Sequence, residues 1–384
     1  MKVFLVAGEP SGDALGAALM AGLKHLSPGV QCAGVGGPLM QGEGLRSQFD
    51  MSELSLMGIA EILPKYFHLK RRIAETANAV IETKPDVLIT IDSPDFCLRV
   101  AKLVKAQSDI RTVHYVAPTV WAWRPGRAKK MAQMIDQVLA LFPFEPPYME
   151  AEGMDCDFVG HPAAGAPRAT PEAQAAFRAT YGLEAADPLV LVLPGSRRGE
   201  VARMGPVFGE VLGKLAATRP DMRMIVPAAP SVADAVQALV ATWPVNATVI
   251  ESRGMSIEDG LAQKRAAFAA ADVALATSGT VALELAAAGT PMVSAFDLNW
   301  ISRVIIGRML TTKRTCLVNL VTDSDVVPEI IGFDFKADAV LAAMEGLLAD
   351  PSTQAAAMEQ TMDLLGRGGE DPGIRAARAV LDRL

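Results

Sequence analysis

Two aspartates, Asp92 and Asp95, follow an apolar run of Val87, Leu88, Ile89, Thr90 and Ile91 in the segment ITIDSPDF, residues 89–96. The run reads as a buried strand, and in open α/β sheets ligands bind beyond the carboxyl ends of strands. A carboxylate on so rigid an element can be held within hydrogen-bond reach of a hydroxyl and take its proton. The same residues suit a plain turn, because Asp stabilises turns, and Asp95 suits the N-cap of a following helix. TVHYVAPTVWAWRPGR, residues 112–127, repeats the arrangement: a strand, then a loop rich in aromatic residues and arginine.

Two further loops suit phosphate. PGSRRGE sets Gly195, Ser196, Arg197 and Arg198 just after an apolar strand, and SGTVALE sets Ser278, Gly279 and Thr280 at a helix start. Helix amino termini offer unpaired N–H groups and the positive end of a dipole, so two of them converging could hold a diphosphate without a metal. Taken singly, Gly195 also fits an ordinary turn, and Ser278 and Thr280 ordinary caps. Glu284 lies one helical turn beyond Thr280, where a carboxylate could accept from ribose hydroxyls. VAGEPSGDALG has the setting of a nucleotide loop but lacks G-x-G-x-x-G, and GxxxxGK[ST] is absent, which argues against nicotinamide enzymes and P-loop NTPases. The D-x-D pairs Asp155/Asp157 and Asp323/Asp325 read as preceding a strand and as a polar turn. Neither ends a strand, so no metal and no cofactor are expected.

The elements that must position these groups alternate. Strand-like runs at 3–7, 30–35, 87–91, 112–116, 138–142 and 158–159 are separated by helical segments. After a link rich in Ala, Pro and Thr from residue 161, a second series follows at 189–193, 224–226, 248–250, 273–276 and 292–295. Such alternation builds parallel sheets with helices on both faces. At 384 residues the chain fits two domains, with strand ends expected to face a cleft. With 51% hydrophobic and 21% charged residues it is globular, and a net charge of -7 argues against nucleic-acid binding. Cys32, Cys97, Cys156 and Cys316 are scattered without C-x-x-C spacing, as befits buried thiols in a reducing cytoplasm. No signal peptide is read at the amino terminus, and no apolar stretch reaches the ~20 residues of a membrane span.

In their order, VAGEPSGD, MGIAEILP, IDSPDF, HYVAPTVWAWRPGR, LFPFE, VGHP, LPGSR, SGTVALE and LVNLV resemble the lipid-A-disaccharide synthases, sugar-nucleotide glycosyltransferases of the GT-B fold. The resemblance spans nearly the whole chain. It implies two Rossmann-like domains: 1–163 for acceptor and lipid, with 374–384 a candidate to pack on it, and 164–373 for the UDP-sugar. It implies an inverting transfer from UDP-2,3-diacylglucosamine to the 6-hydroxyl of 2,3-diacylglucosamine 1-phosphate, giving a β-1,6 disaccharide and UDP. On this reading Asp92 is the base with Asp95 in reserve. Gly195, Ser196, Arg197, Ser278, Gly279, Thr280, Glu284 and Asn319 hold the donor. Glu9, Ser11, His114, Trp123 and Arg124 line the acceptor side, and His161 sits in the hinge. Pro10 and Arg198 depart from the usual pattern, the second leaving open which arginine meets phosphate. A UDP-N-acetylglucosamine 2-epimerase or the muramyl-lipid N-acetylglucosaminyltransferase would share the SGT–helix–Glu element. IDSPDF and WAWRPGR favour the disaccharide synthase.

Acylated substrates imply a cytoplasmic enzyme, peripheral on the inner face of the inner membrane, and a homodimer is compatible with the sequence. In residues 57–73, Ile59, Ile62, Leu63, Tyr66, Phe67 and Leu69 precede Lys70, Arg71 and Arg72, the make-up of an interfacial helix. A core-packed helix with a solvated basic end fits the same pattern.

Overall fold

The computed structural model describes residues 1–54, 59–122, 126–184, 187–297 and 314–384, with side chains of the helix Ile59–Thr83 described from Tyr66 onward. The chain forms two units: Met1–Gly165 together with Leu365–Leu384, and Ala166–Leu364.

In the first unit the elements run β1 (Lys2–Ala7), α1 (Pro10–Leu26), β2 (Gln31–Val35), α2 (Pro38–Gly42), α3 (Ile59–Thr83), β3 (Val87–Ile91), α4 (Pro94–Lys105), β4 (Arg111–Tyr115), α5 (Gly126–Met131), β5 (Gln137–Ala140), α6 (Pro146–Glu150), β6 (Asp155–Phe158) and α7 (Pro162–Gly165). The sheet order is β2-β1-β3-β4-β5-β6, with every neighbour parallel. All five residues of β3 are buried, as expected when helices cover both faces of a parallel sheet. The helix Pro372–Leu381 returns to pack on α1. Gly22 and Gly373 let the two backbones meet, for a Cβ on Gly22 would overlap the Gly373 carbonyl. Gln137 Nε2 donates to Ala379 O at 2.8 Å, and Arg375 Nη2 to Phe158 O at 3.0 Å.

In the second unit follow α8 (Pro171–Thr180), β7 (Leu189–Leu193), α9 (Arg198–Thr218), β8 (Arg223–Ala228), α10 (Ala233–Val240), β9 (Thr248–Glu251), α11 (Ile257–Ala270), β10 (Val273–Ala276), α12 (Val281–Ala288), β11 (Met292–Phe296) and β12 (Glu329–Ile331). Its order is β12-β11-β10-β7-β8-β9, again all parallel. β12 was not expected from the sequence: it is three half-buried residues long, too short for an apolar signature. β6 begins earlier than expected, so Asp155 and Asp157 lie within a strand, not before one. Both units are thus doubly wound α/β layers of the Rossmann kind.

Each strand order reverses once. β1 leads to β2 on one side while β3 lies on the other, and β7 leads to β8 and β9 while β10 lies on the other side. At such a switch point the two adjacent loops diverge and leave a crevice at the strand ends, where ligands of open α/β sheets bind.

Candidate active site

In the first unit the switch point brings the loops after β1 and β3 side by side. Ser11 Oγ donates to Asp92 Oδ2 at 3.4 Å, and Ser93 Oγ to Glu9 Oε1 at 3.5 Å. Glu9, Ser11 and Asp92 are therefore neighbours. The turn that carries Asp92 is left-handed at two successive residues, φ 50° at Asp92 and 42° at Ser93. Asp tolerates this region better than most residues, but each such residue still costs roughly 1–2 kcal/mol. The strained turn is held by Asp92 N–H donating to Tyr115 O at 3.0 Å. Gly8 makes room for it, since a Cβ there would lie 2.6 Å from Ser93 Oγ. Ser93, not Asp95, occupies the N-cap of α4; Asp95 lies in its first turn and is exposed. Val116, just beyond β4, has φ 85°, which is unusual strain for a β-branched side chain.

Asp92, Asp95, His114 and Val116 line one cavity of about 410 Å³. Among the described residues neither aspartate has a cationic partner within ion-pair distance. His114 is buried and neighbours Thr90 Oγ1 through Nδ1 at 2.8 Å. Thr90 Oγ1 donates to Val113 O at 3.1 Å, so its remaining capacity is as acceptor of Nδ1–H, which leaves Nε2 the unprotonated ring nitrogen. Burial lowers the His114 pKa to about 4. Its imidazole is neutral at pH 7 and a weaker base than an ordinary histidine. Trp123 and Arg124 lie outside the described residues.

The loop after β5 adds a residue the sequence did not single out. Glu145 is buried, and its Oε2 accepts from Leu141 N–H at 3.1 Å and Phe142 N–H at 3.0 Å, with the Trp121 side chain near enough to favour the ionised carboxyl. Burial pushes its carboxyl up to about 7 against the opposing pull of those bonds. It fixes an aromatic group of Trp121, Phe142, Phe144 and His161, with ring centroids 5.3 to 5.5 Å apart. His161 Nδ1 accepts from Ala163 N–H at 3.1 Å, and burial lowers its pKa to about 4. Asp13, also buried, binds the loop after β2 through the N–H groups of Gly37, Leu39 and Met40 at 2.8 to 3.0 Å.

In the second unit the switch point sets PGSR, after β7, beside SGT, after β10. Gly195 has φ 127° and lets Glu200 fold back over the loop. Glu200 Oε2 accepts from Ser196 N–H at 3.0 Å and Arg197 N–H at 3.3 Å, and Oε1 from Arg197 Nη1 at 3.0 Å. The protein's own carboxylate thus sits where a helix start would meet an anion. Gly279 has φ 152°, and Thr280 stands at the N-cap of α12 without a side-chain bond. Ser278 Oγ donates to Thr315 O at 3.3 Å and so ties this loop to the next. Glu284 pairs with Lys264 at 2.8 Å; both are half-exposed, and such a pair is easily opened.

Asn319 is engaged within its own unit. It is buried, its Nδ2 donates to Val327 O and Glu329 Oε1, both at 2.8 Å, and its Oδ1 accepts from Val327 N–H at 3.0 Å. With its amide engaged in this way it supports the loop. Its partner Glu329, on the unforeseen β12, accepts from Thr315 N–H and Oγ1 at 2.7 Å and from Cys316 N–H at 2.9 Å. The D-x-D carboxylates are also engaged. Arg111 and Arg383 take Asp155 and Asp157, and Arg314 takes Asp323 and Asp325.

The proposed lipid-facing segment divides. Residues 57–58 and the side chains of 59–65 lie outside the described residues; Tyr66 and Phe67 are 45% and 81% exposed. Arg72, by contrast, is committed to the fold: it pairs bidentately with Glu53 at 2.8 Å and lies over the Phe49 ring. Among the described residues no helix is long and apolar enough to cross a membrane.

Residues 3–373 match the family model described as lipid-A-disaccharide synthetase. The chain is 61% identical over 384 residues to a lipid-A-disaccharide synthase of Ruegeria pomeroyi, covering 100% of this chain and 96% of the relative. It is 44% identical over 389 residues to that of Rhodospirillum centenum, covering 100% and 94%. Among solved structures it is similar to a UDP-GlcNAc 2-epimerase from Neisseria meningitidis bound to UDP-GlcNAc, with TM-score 0.66, 13% identity and coverage of 100% and 99%. A glycosyltransferase from Rickettsia africae gives TM-score 0.58 at 12% identity, covering 100% and 97%. These structural likenesses identify the GT-B architecture of paired Rossmann-like units.

Proposed function

The chain belongs to the lipid-A-disaccharide synthases, glycosyltransferases of lipid A biosynthesis, and from that premise we propose its substrates and the residues that act on them. The donor is UDP-2,3-diacylglucosamine and the acceptor 2,3-diacylglucosamine 1-phosphate. Asp92 takes the proton from the acceptor 6-hydroxyl, the oxygen attacks the anomeric carbon, and the bond from that carbon to the diphosphate breaks. The products are the β-1,6 disaccharide 1-phosphate and UDP.

The observation that carries this reading is Asp92 itself: a carboxylate in a strained turn at the switch point of its sheet, without a cationic partner among the described residues, opening on a cavity. A paired aspartate would be a weaker base, and a strained one persists only when its surroundings over-determine it. His114, neutral and depressed in basicity, is the poorer candidate. On the donor side, the PGSR and SGT loops offer N–H groups and Arg197 to the leaving diphosphate, electrostatic stabilisation that needs no cation. Glu200 would yield those N–H groups as the donor enters. Acylated substrates place the enzyme at the inner face of the inner membrane, with Tyr66 and Phe67 as exposed apolar contacts.

The test measures UDP release with each acylated sugar alone and with both, and identifies the product by mass spectrometry. Release only with both, with one disaccharide phosphate formed per UDP, is expected. Release without acceptor, or conversion of UDP-N-acetylglucosamine to its 2-epimer, would sink this reading.

A further inference from the structure

Resting on the acceptor assigned above, we propose that Arg99, Lys102, Arg127 and Lys130 form a subsite for the acceptor's phosphomonoester and select phosphorylated over unphosphorylated acceptors. Arg99 and Lys102 stand three residues apart on α4, on the face that also carries Asp95. Arg127 and Lys130 stand three apart on α5. Side chains at this spacing share one helix face. Both faces line the cavity that Asp92 opens on. Four cations therefore surround a concave space in which, among the described residues, the only carboxylates are Asp92 and Asp95. Among the described residues none of the four cations has an ion-pair partner.

Four cations against two carboxylates leave an excess of positive charge, and an anion placed among the cations relieves their mutual repulsion. A phosphomonoester carries about -1.5 to -2 charges at pH 7 and three strong acceptor oxygens, a match for several Arg and Lys donors at once. The shape of the site separates this ligand from a membrane surface. A flat anionic bilayer cannot enter a cavity and would meet Asp92 and Asp95 unfavourably. A small sugar phosphate can enter, and the bound phosphate fixes its distance from Asp92.

The test uses full-length protein with detergent-dispersed 2,3-diacylglucosamine with and without its 1-phosphate. Wild type is compared with R99Q/K102Q and, separately, K130Q. A charged hydrogen bond is worth roughly tenfold or more in affinity, less where water screens it. The ratio of kcat/KM for phosphorylated over unphosphorylated acceptor is expected to fall roughly 30-fold in the double variant. The loss should lie in acceptor KM, and glucosamine 1-phosphate should compete with acceptor in wild type but not in the variant. An unaltered ratio with disaccharide still formed overturns the subsite alone. So does equal loss on both acceptors, or weaker sedimentation with anionic vesicles at unchanged acceptor KM, which would make these cations membrane contacts. Wild type forming no disaccharide from either acceptor overturns the assigned reaction and the subsite with it. K130Q, a single exposed change, reports the ratio if the double variant does not fold.

Discussion

Glu145→Gln isolates one buried charge by its pH dependence. In the folded protein the Glu145 carboxyl titrates at about 7, against a reference of 4.5. Between those values the folded state holds a proton that the unfolded chain has released, so stability falls as pH rises. The full contribution is present below about pH 4.5 and lost above about 7. At 1.36 kcal/mol per unit, the difference amounts to ~3 kcal/mol. His114 and His161, lowered by burial from 6.5 to about 4, act in the opposite sense: their contribution is present above pH 6.5 and lost as pH falls toward 4. In wild type the two trends overlap. Glutamine keeps an acceptor oxygen for Leu141 and Phe142 N–H and cannot ionise, while the histidines are untouched and cancel in the comparison. Urea unfolding of both proteins, followed by tryptophan fluorescence from pH 4.5 to 8, gives the stability difference at each pH. It should shift in favour of the variant by ~3 kcal/mol up to pH 7 and then level. A difference that does not change with pH would refute the assignment of an ionisable, desolvated Glu145.

Asp92→Asn should cut turnover ~10²–10⁴-fold, the usual range for a lost general base, while UDP-sugar binding by calorimetry stays near wild type; near-normal kcat would pass the role to Asp95 or His114. Activity should survive EDTA while Arg197→Ala weakens donor binding; loss on chelation, restored by Mg²⁺ or Mn²⁺, would contradict stabilisation of the diphosphate by N–H groups and arginine. Asp13→Ala strips three N–H groups of a buried acceptor and should lower stability in urea by ~3 kcal/mol, with a change below ~0.5 kcal/mol counting against it. Lys70→Ser with Arg71→Ser should weaken sedimentation with anionic vesicles by about 1 kcal/mol per cation, and Phe67→Ser should weaken it further; unchanged sedimentation would remove this segment as the membrane contact. Arg72 is left intact because it holds Glu53.

The apolar runs around Val87–Ile91 and Leu189–Leu193 were legible because strands buried on both faces leave an unbroken hydrophobic signature. The turn residues after them were legible as chemistry for the same reason: they interrupt it abruptly. What joined Asp92 to Glu9, or PGSR to SGT, was strand order, which no local pattern encodes. The left-handed backbone at Val116 contradicts that residue's own preference, so its sequence pointed away from it. Asn319 read as a ligand contact because an amide suits nucleotide and structural strut alike; its bond to Glu329, ten residues on and in a three-residue strand, left no local signal. The same holds for Arg72: a cation in a basic run carries no sign that Glu53, nineteen residues earlier, has claimed it.

The return of the helix Pro372–Leu381 to α1 also bears on the order in which the protein can mature. Synthesis proceeds from the amino end and domains tend to fold as they emerge, yet the first unit is left at Gly165 and rejoined only at Leu365. Its six strands are complete while the face of α1 around Gly22 still lacks its cover. Throughout translation of the second unit that face is apolar surface open to chaperones and proteases. A nonsense codon anywhere before residue 372 would therefore leave the amino-terminal unit unfinished although every strand of its sheet had been made, so maturation of the start of the chain is contingent on its far end having been translated.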